Sequence, residues 1–250
     1  MIKLSPGNNH LVNILGSIDN KIENNDLLSQ KYESLLKNLY LKYFSKNNID
    51  LSNYTQYNLT DLANFTCGYS YKGSELVPSP YGLLTIKNFD RNTGFKLDGF
   101  KDLSQDNKAK NSQYINQFDI VVAHTDLTQN AEIIGNAEMV LHRANYEKLI
   151  ASMDLVIVRP NANISNSLLY LLLHNPDFKK HALGYCAGTT VLHLNKRALN
   201  EYKVYLPNDK VLKNKLEGIV DKIIKKQAFL IEQNIKFNEL KQLYLKKFFG

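Results

Sequence analysis

Pro176-Asp177 followed by Glu201-Tyr202-Lys203 is the arrangement in this chain that most nearly spells out a hydrolytic centre. In a PD…ExK pattern two carboxylates hold a divalent cation and the lysine assists the attacking water, which makes Asp177, Glu201 and Lys203 the residues of a candidate Mg²⁺-dependent nuclease. The context argues against it. Asp177 falls between two helical stretches instead of opening a strand, and so short a pattern arises often by chance. Asn175-Pro176-Asp177-Phe178 brushes against the Asn-Pro-Pro-Phe/Tyr box that holds a target amine in amino-methyltransferases, but Asp177 stands where the second proline belongs. No glycine-rich strand-to-helix loop is present to seat a methyl donor. A helix boundary, with Asn175 at the stop and Pro176 at the first position of the next helix, accounts for the same residues.

The six histidines (His10, His124, His142, His174, His181 and His193) show neither the i, i+4 spacing of a helical metal pair nor a nucleophile alongside. Cys67 and Cys186 form no CxxC pair, so no zinc site and no disulfide framework is expected, in keeping with a reducing cytoplasm. No catalytic residue, metal or cofactor is assigned. What remains is a set of polar and basic loops, on a chain whose formal charge of +7 favours a polyanionic partner. Lys87, Arg91, Lys108 and Lys110 suit phosphate or base contacts, and backbone amides in a Gly188-Thr189-Thr190 turn suit a phosphate oxygen. Asn88, His124 and Thr125 suit base-facing work, His124 because it ends a buried strand at a rigid edge, and Tyr185 joins the Gly188-Thr189-Thr190 loop as a further DNA-binding candidate. Each of these alone is more often a solvated loop residue; together they favour nucleic acid.

The elements that must carry these loops are set by the two ends of the chain. Leu212, Leu216, Ile219, Ile223, Leu230, Phe237, Leu240 and Tyr244 step by threes and fours or their sums, the 3.5-residue period of a coiled-coil seam. Leu11, Leu15, Ile18, Ile22, Tyr32, Leu36, Leu39 and Tyr43 repeat that stepping near the start. The two segments also share Gly-x-x-Asp (Gly16 to Asp19, Gly218 to Asp221) and close on Leu39-Tyr-Leu-Lys-Tyr-Phe44 and Leu243-Tyr-Leu-Lys-Lys-Phe248. At 1.5 Å rise per residue each helix is about 60 Å long and cannot bury its own stripe, so the two are expected to pair with each other. Separate packing of each helix on a globular core is the alternative. Asn25, Ser29, Lys226 and Gln233 interrupt the seam with polar groups that would fix register, and the first helix is expected to be capped by Asn8 or Asn9 and the last by Asn208 or Asp209.

Between them the period changes. Residues 59–68 read as a short helix into a glycine turn; 81–89, 118–123, 132–135, 155–159 and 191–194 read as strands; 165–174 and 177–183 read as helices. The polar stretch 90–111 is too long for a plain connection and reads as a binding loop. The fold class is therefore α+β: helix over 1–48, one mixed domain over 49–206, and helix over 207–250, the helices forming a long antiparallel two-helix coiled coil. The longest apolar run, 168–173, is far too short to span a bilayer, and a soluble protein is expected.

The chain resembles the specificity (S) subunit of type I restriction-modification enzymes. The segments that carry the resemblance are Phe118-Asp-Ile-Val-Val-Ala-His-Thr-Asp-Leu-Thr-Gln-Asn-Ala-Glu-Ile-Ile-Gly135, Ala182-Leu-Gly-Tyr-Cys-Ala-Gly-Thr-Thr-Val-Leu-His-Leu-Asn195, the exit Tyr205-Leu-Pro207 and the two related helices. The resemblance implies a non-catalytic reader of double-stranded DNA. Two conserved helices pair as a spacer, methyltransferase (M) subunits dock on them, and restriction-translocase (R) subunits complete the enzyme. Members of that family alternate two target-recognition domains with two helices; this chain has one domain between its helices and looks like the C-terminal half. It would then read a half-site, and a bipartite target would call for a homodimer or pairing with another half-S chain. The competing readings are the nuclease above and a coiled-coil scaffold with the middle domain as passenger.

Overall fold

A computed structural model describes residues 6–91, 94–128, 130–188 and 191–249. Its largest elements are the terminal helices, α1 (Pro6–Tyr43) and, last in the chain, α5 (Lys210–Phe249). Three short helices lie between them: α2 (Asn166–Leu173), α3 (Pro176–Leu183) and α4 (Arg197–Asn200). The first seven strands are β1 (Tyr54–Asn58), β2 (Ala63–Cys67), β3 (Tyr81–Leu84), β4 (Lys101–Asp102), β5 (Tyr114–Ile115), β6 (Ile120–Ala123) and β7 (Thr125–Asp126). The remaining six are β8 (Ala137–Met139), β9 (Lys148–Ala151), β10 (Leu155–Pro160), β11 (Cys186–Ala187), β12 (Leu192–Leu194) and β13 (Lys203–Pro207).

α1 and α5 pack against each other in antiparallel fashion, as cross-helix bonds along their length record. Lys241 meets Asp19 at 2.6 Å, Asn234 bonds Asn25 and Asp26, and Gln227 donates to Glu33. Ile18, Leu36, Leu216, Ile223 and Leu230 are buried in or beside this seam, and Leu15, Ile22 and Leu39 are half-buried. Two expectations about the seam need correction. Leu240 is 41% exposed, because a 3.6-residue helix drifts about 20° per heptad from a strict seven-residue repeat and the contact line has moved to Ile231, Asn234 and Lys241. For the same reason Gln227 is the buried polar residue, and Lys226 is exposed. Asn25 is buried and bonds Gln233 as well as Asn234. α1 begins at Pro6, so Asn8 and Asn9 lie inside it and not at its cap; Asp209 does cap α5, accepting from the Val211 and Leu212 amides.

The domain between the rods is layered. β2, β10, β6 and β8 form the central sheet, antiparallel throughout, with Val158 opposite both Phe65 and Ile120. Side chains alternate across a pleated strand. Val156 and Val158 of β10 and Ile120 and Val122 of β6 therefore face a core shared with α1, α2, α3 and α5, whereas Leu155, Ile157, Val121 and Ala123 face a second sheet. That second sheet has the order β4-β3-β9-β5, with β3 and β9 parallel. Its inner face supplies Leu84, Leu149, Ala151 and Ile115; its outer face supplies Leu83 and Ile150 to a small cluster with Tyr69 and Leu103. The outer face is thus the side of the domain turned away from the helices. β1 pairs with β13 beside the two rods, and β11-β12-β7 make a third small sheet.

Two segments differ from their sequence reading. Residues 59–68 form a single turn and then strand β2, because Asp61 caps the turn by accepting from the Asn58 amide and the ladder to β10 captures the residues beyond it. Residues 132–135 are a turn and not a strand: the Asp126 carboxylate accepts from the Ile133 and Ile134 amides, and Gly135 has φ +77°.

Candidate nucleic-acid interface

The loop residues singled out in the sequence occupy three places. Lys87, Asn88 and Arg91 lie between β3 and β4. Lys87 is exposed, and Arg91 reaches Glu132 at 3.3 Å. Asn88 is fully buried, its Oδ1 accepting from the Thr85 amide and its amide donating to the Lys96 carbonyl. It closes the loop from within and cannot meet a base. The Thr85-x-x-Asn88 spacing, a capping pair, was the signal for this.

Lys108 and Lys110 are exposed on the 101–110 loop, which wraps the outer face of the second sheet; the Lys108 amide donates to Tyr69 Oη at 3.1 Å. His124, Thr125 and Tyr185 belong to the third-sheet region. Thr125 is buried and donates to Asp154, so its base-facing role is also withdrawn. His124 is half-buried; burial, then the charges of His193 and Lys196, pull its pKa down. Tyr185 donates to Glu201 at 2.6 Å. Thr189 and Thr190 lie outside the described residues; Gly188 beside them has φ +135°, and a Cβ there would meet the Val191 carbonyl oxygen at 2.0 Å.

The outer face gathers cations that the sequence reading passed over. A groove of about 420 Å³ is lined by Asn111, Tyr114, Asn116, Arg143, Glu147 and Lys148. Pairing explains the juxtaposition: β9 lies between β3 and β5, so Lys148 stands opposite Tyr81 and next to Tyr114, with its Nζ 5.1 and 5.8 Å from the two ring centroids. Lys101, opposite the outward Leu83, sits over the Tyr71 ring at 5.5 Å. Arg143 Nη2 donates to the backbone carbonyls of Tyr146 and Glu147. Among the described residues none of Lys101, Lys108, Lys110, Arg143 and Lys148 has a carboxylate within 4.0 Å. Lys148 and Arg143 gave no signal as single residues, because only long-range strand pairing brings them beside Tyr114 and the 101–110 loop.

On the opposite side a buried charge cluster bolts the rods to the domain. His174, at the end of α2, presents Nε2 to Glu33 of α1 at 2.6 Å and Nδ1 to the Ala137 carbonyl at 2.7 Å. Glu33 also accepts from Gln227 of α5. Burial works against ionisation of Glu33, but the His174 and Gln227 bonds outweigh it and hold its pKa below the usual carboxylate value. With two acceptors facing its two nitrogens, His174 carries both protons. Burial alone would lower its pKa; the charges of Glu138 and Glu33 and the hydrogen bonds to Glu33 and Ala137 lift it to about 10. Glu138, 3.8 Å from His174 and fully buried, is pushed up to about 7 by desolvation, and its Oε1 accepts from the Gly94 amide at 2.9 Å. The cluster therefore reaches from both rods to the Gly94 amide.

Asp177, Glu201 and Lys203 do line one cleft, between α3, β13 and the end of α1. The carboxylates are already committed: Asp177 Oδ2 accepts from the Tyr40 and Ser45 hydroxyls, and Glu201 takes Tyr185 on one oxygen and Arg197 on the other. Asn175 caps α3 by accepting from the Phe178 amide, with Pro176 opening the helix. Among the described residues no group of three His, Cys, Asp or Glu side chains is placed to hold a metal ion, and no helix is long and apolar enough to cross a membrane.

Comparison with known proteins adds to this geometry at the level of the fold. No family model matches the sequence, and no curated protein matches it. Solved structures do. The S subunit of a type I restriction-modification system from M. genitalium superposes with a TM-score of 0.63 at 17% identity, covering 96% of this chain and 60% of that one. A structure from work on complex assembly and conformational transition of a type I restriction-modification system superposes at 0.51 with 15% identity, over 98% of this chain and 60% of its own. This chain thus spans about 60% of the length of the proteins it superposes on. Its fold, an α+β domain between two paired helices, is that of the type I restriction-modification S subunit.

Proposed function

We propose that this protein is a DNA specificity subunit: it reads duplex sequence through its α+β domain, performs no catalysis itself, and directs methyltransferase and restriction subunits that dock on its helical pair. The observation that carries this reading is the superposition of nearly the whole chain, rods and domain together, on an S subunit. The seam between α1 and α5 supports it, since two rods this long, bolted to the domain by a buried charge cluster, hold the domain rigidly against whatever binds the rods. The domain described reads one half of a split site, and a second such domain, in a second copy or elsewhere, reads the other. A two-fold homodimer favours a palindromic split target.

The test is fluorescence anisotropy of the purified chain with a labelled 30-base-pair duplex, alone and with the cognate methyltransferase subunit, over a salt series. Binding that weakens steeply with salt, and tightens when the methyltransferase subunit is added, is expected. Salt-independent or absent binding in both conditions overturns the reading. Mg²⁺-dependent cleavage abolished by Glu201→Ala would return the nuclease to first place.

A further inference from the structure

We propose that the groove between β5 and β9, lined by Asn111, Tyr114, Asn116, Arg143 and Lys148, is a direct contact site for duplex DNA, with the 101–110 loop as its second wall. The inference rests on the reading of the chain as a DNA-binding subunit and assigns that binding to a particular face. Geometry points there on three counts. The groove lies along the β5 edge of the second sheet, with Tyr114 and Lys148 on the outer side and Ile115 and Leu149 at its floor, away from the layer in which α1, α2, α3 and α5 pack, so a partner docked on the rods leaves it open. Among the described residues its cations form no ion pair, and Glu147 is the one carboxylate among the groove's lining residues. Arg143 spends Nη2 on backbone carbonyls only, and Lys148 is held over two tyrosine rings, which position its ammonium group without neutralising it. The nearby acids are few and largely occupied. Asp102 accepts from Tyr146, and Glu75 accepts from Tyr69 and the Lys72 amide, leaving Glu147 in the lining and Asp106 on the loop.

The chemistry of the lining matches a nucleic-acid backbone beside base edges. Arg143, Lys148, Lys108 and Lys110 supply charge for phosphates, and a guanidinium with Nε and Nη1 unspent is suited to a phosphate fork. Asn111 and Asn116 supply paired donor and acceptor groups of the kind that read an adenine edge in a major groove.

The experiment compares the wild type with Arg143→Gln/Lys148→Gln and with Lys215→Gln/Lys222→Gln, a control that removes two exposed charges from α5. Each is titrated with the labelled duplex between 50 and 200 mM salt, after circular dichroism melting confirms an unchanged fold. Each phosphate contact contributes about 0.9 to the slope of log K against log salt, so the groove variant is expected to lose about two units of slope while the α5 control keeps it. Asn111→Ala is expected to lower discrimination among duplexes of different sequence without changing the slope. An unchanged slope in the groove variant, or an equal loss in the control, overturns this assignment while leaving wild-type DNA binding, and so the broader reading, intact. Wild-type protein that binds no duplex in any condition removes both.

Discussion

Replacing His174 by Gln should damage the protein more than the loss of any one surface charge, and should do so with a pH signature. The imidazolium stands between Glu33, 18% exposed, and Glu138, 1% exposed, and is itself 10% exposed. Taking it away strands two carboxylates in the interior, and breaking a buried ion pair from one side costs about 3–5 kcal/mol. Because the folded pKa of about 10 lies above the ordinary 6.5, the folded protein holds a proton that the unfolded chain releases between those values. Stability from this group is fully present below 6.5 and falls as pH rises toward 10, with a limiting slope of about 1.4 kcal/mol per pH unit. Glu138, raised to about 7 from 4.5, adds a loss with rising pH that is complete by about 7. Lys179, lowered to about 8 by burial, acts with the opposite sign above that value. The clean window is therefore pH 7 to 8. Urea unfolding followed by far-ultraviolet circular dichroism should show the wild type losing stability across it and His174→Gln starting lower. Adding Glu138→Gln to the variant should recover part of the loss by removing one stranded charge. A single variant within 1 kcal/mol of wild type at pH 7, or a wild type whose stability does not fall across the window, would refute the idea that a doubly protonated imidazole bolts the rods to the domain.

Other changes test the frame around it. Leu36→Ala empties a site that is 0% exposed where α1 meets the core and should cost about 2–5 kcal/mol in the same urea assay. Gly68→Ala would place a methyl 1.9 Å from the Ser152 carbonyl oxygen, where backbone and not a side chain must yield, so a loss of about 1–3 kcal/mol is expected. Lys179 donates to the carbonyls of Ala131, Glu132 and Ile134; Lys179→Met should cost about 1–3 kcal/mol and make the 131–135 turn the first site of limited proteolysis.

The rods were legible because their signal is local and repeated: an apolar residue every third or fourth position names the seam without knowledge of the partner. Legibility faded where the straight helix and the strict repeat part company, which is why Leu240 misled and Gln227 was missed. The central strands β6 and β10 were readable as short β-branched runs. By contrast residues 59–68 carry apolar positions compatible with either period, and only the ladder to β10 decides between them. The site was least legible for the same reason. A basic loop announces itself by composition, but Asn88 and Thr125 turned out to serve their own backbone and neighbours. Arg143 and Lys148 meet Tyr114 only through pairings between segments some 30 residues apart in sequence, which no window of residues contains.

Because α1 and α5 run in opposite directions, the Pro6 end of one and the Phe249 end of the other emerge at the same tip of the pair. The connectivity is almost a closed ring. A short flexible linker across that tip, with the backbone reopened in the exposed turn at Asn47 and Asn48, would yield a permuted polypeptide in which the domain comes first and a single helical hairpin comes after it. Every cross-helix bond and the His174 cluster would survive the rearrangement, so the order in which the parts are spelled along the gene can change while the object they build stays the same.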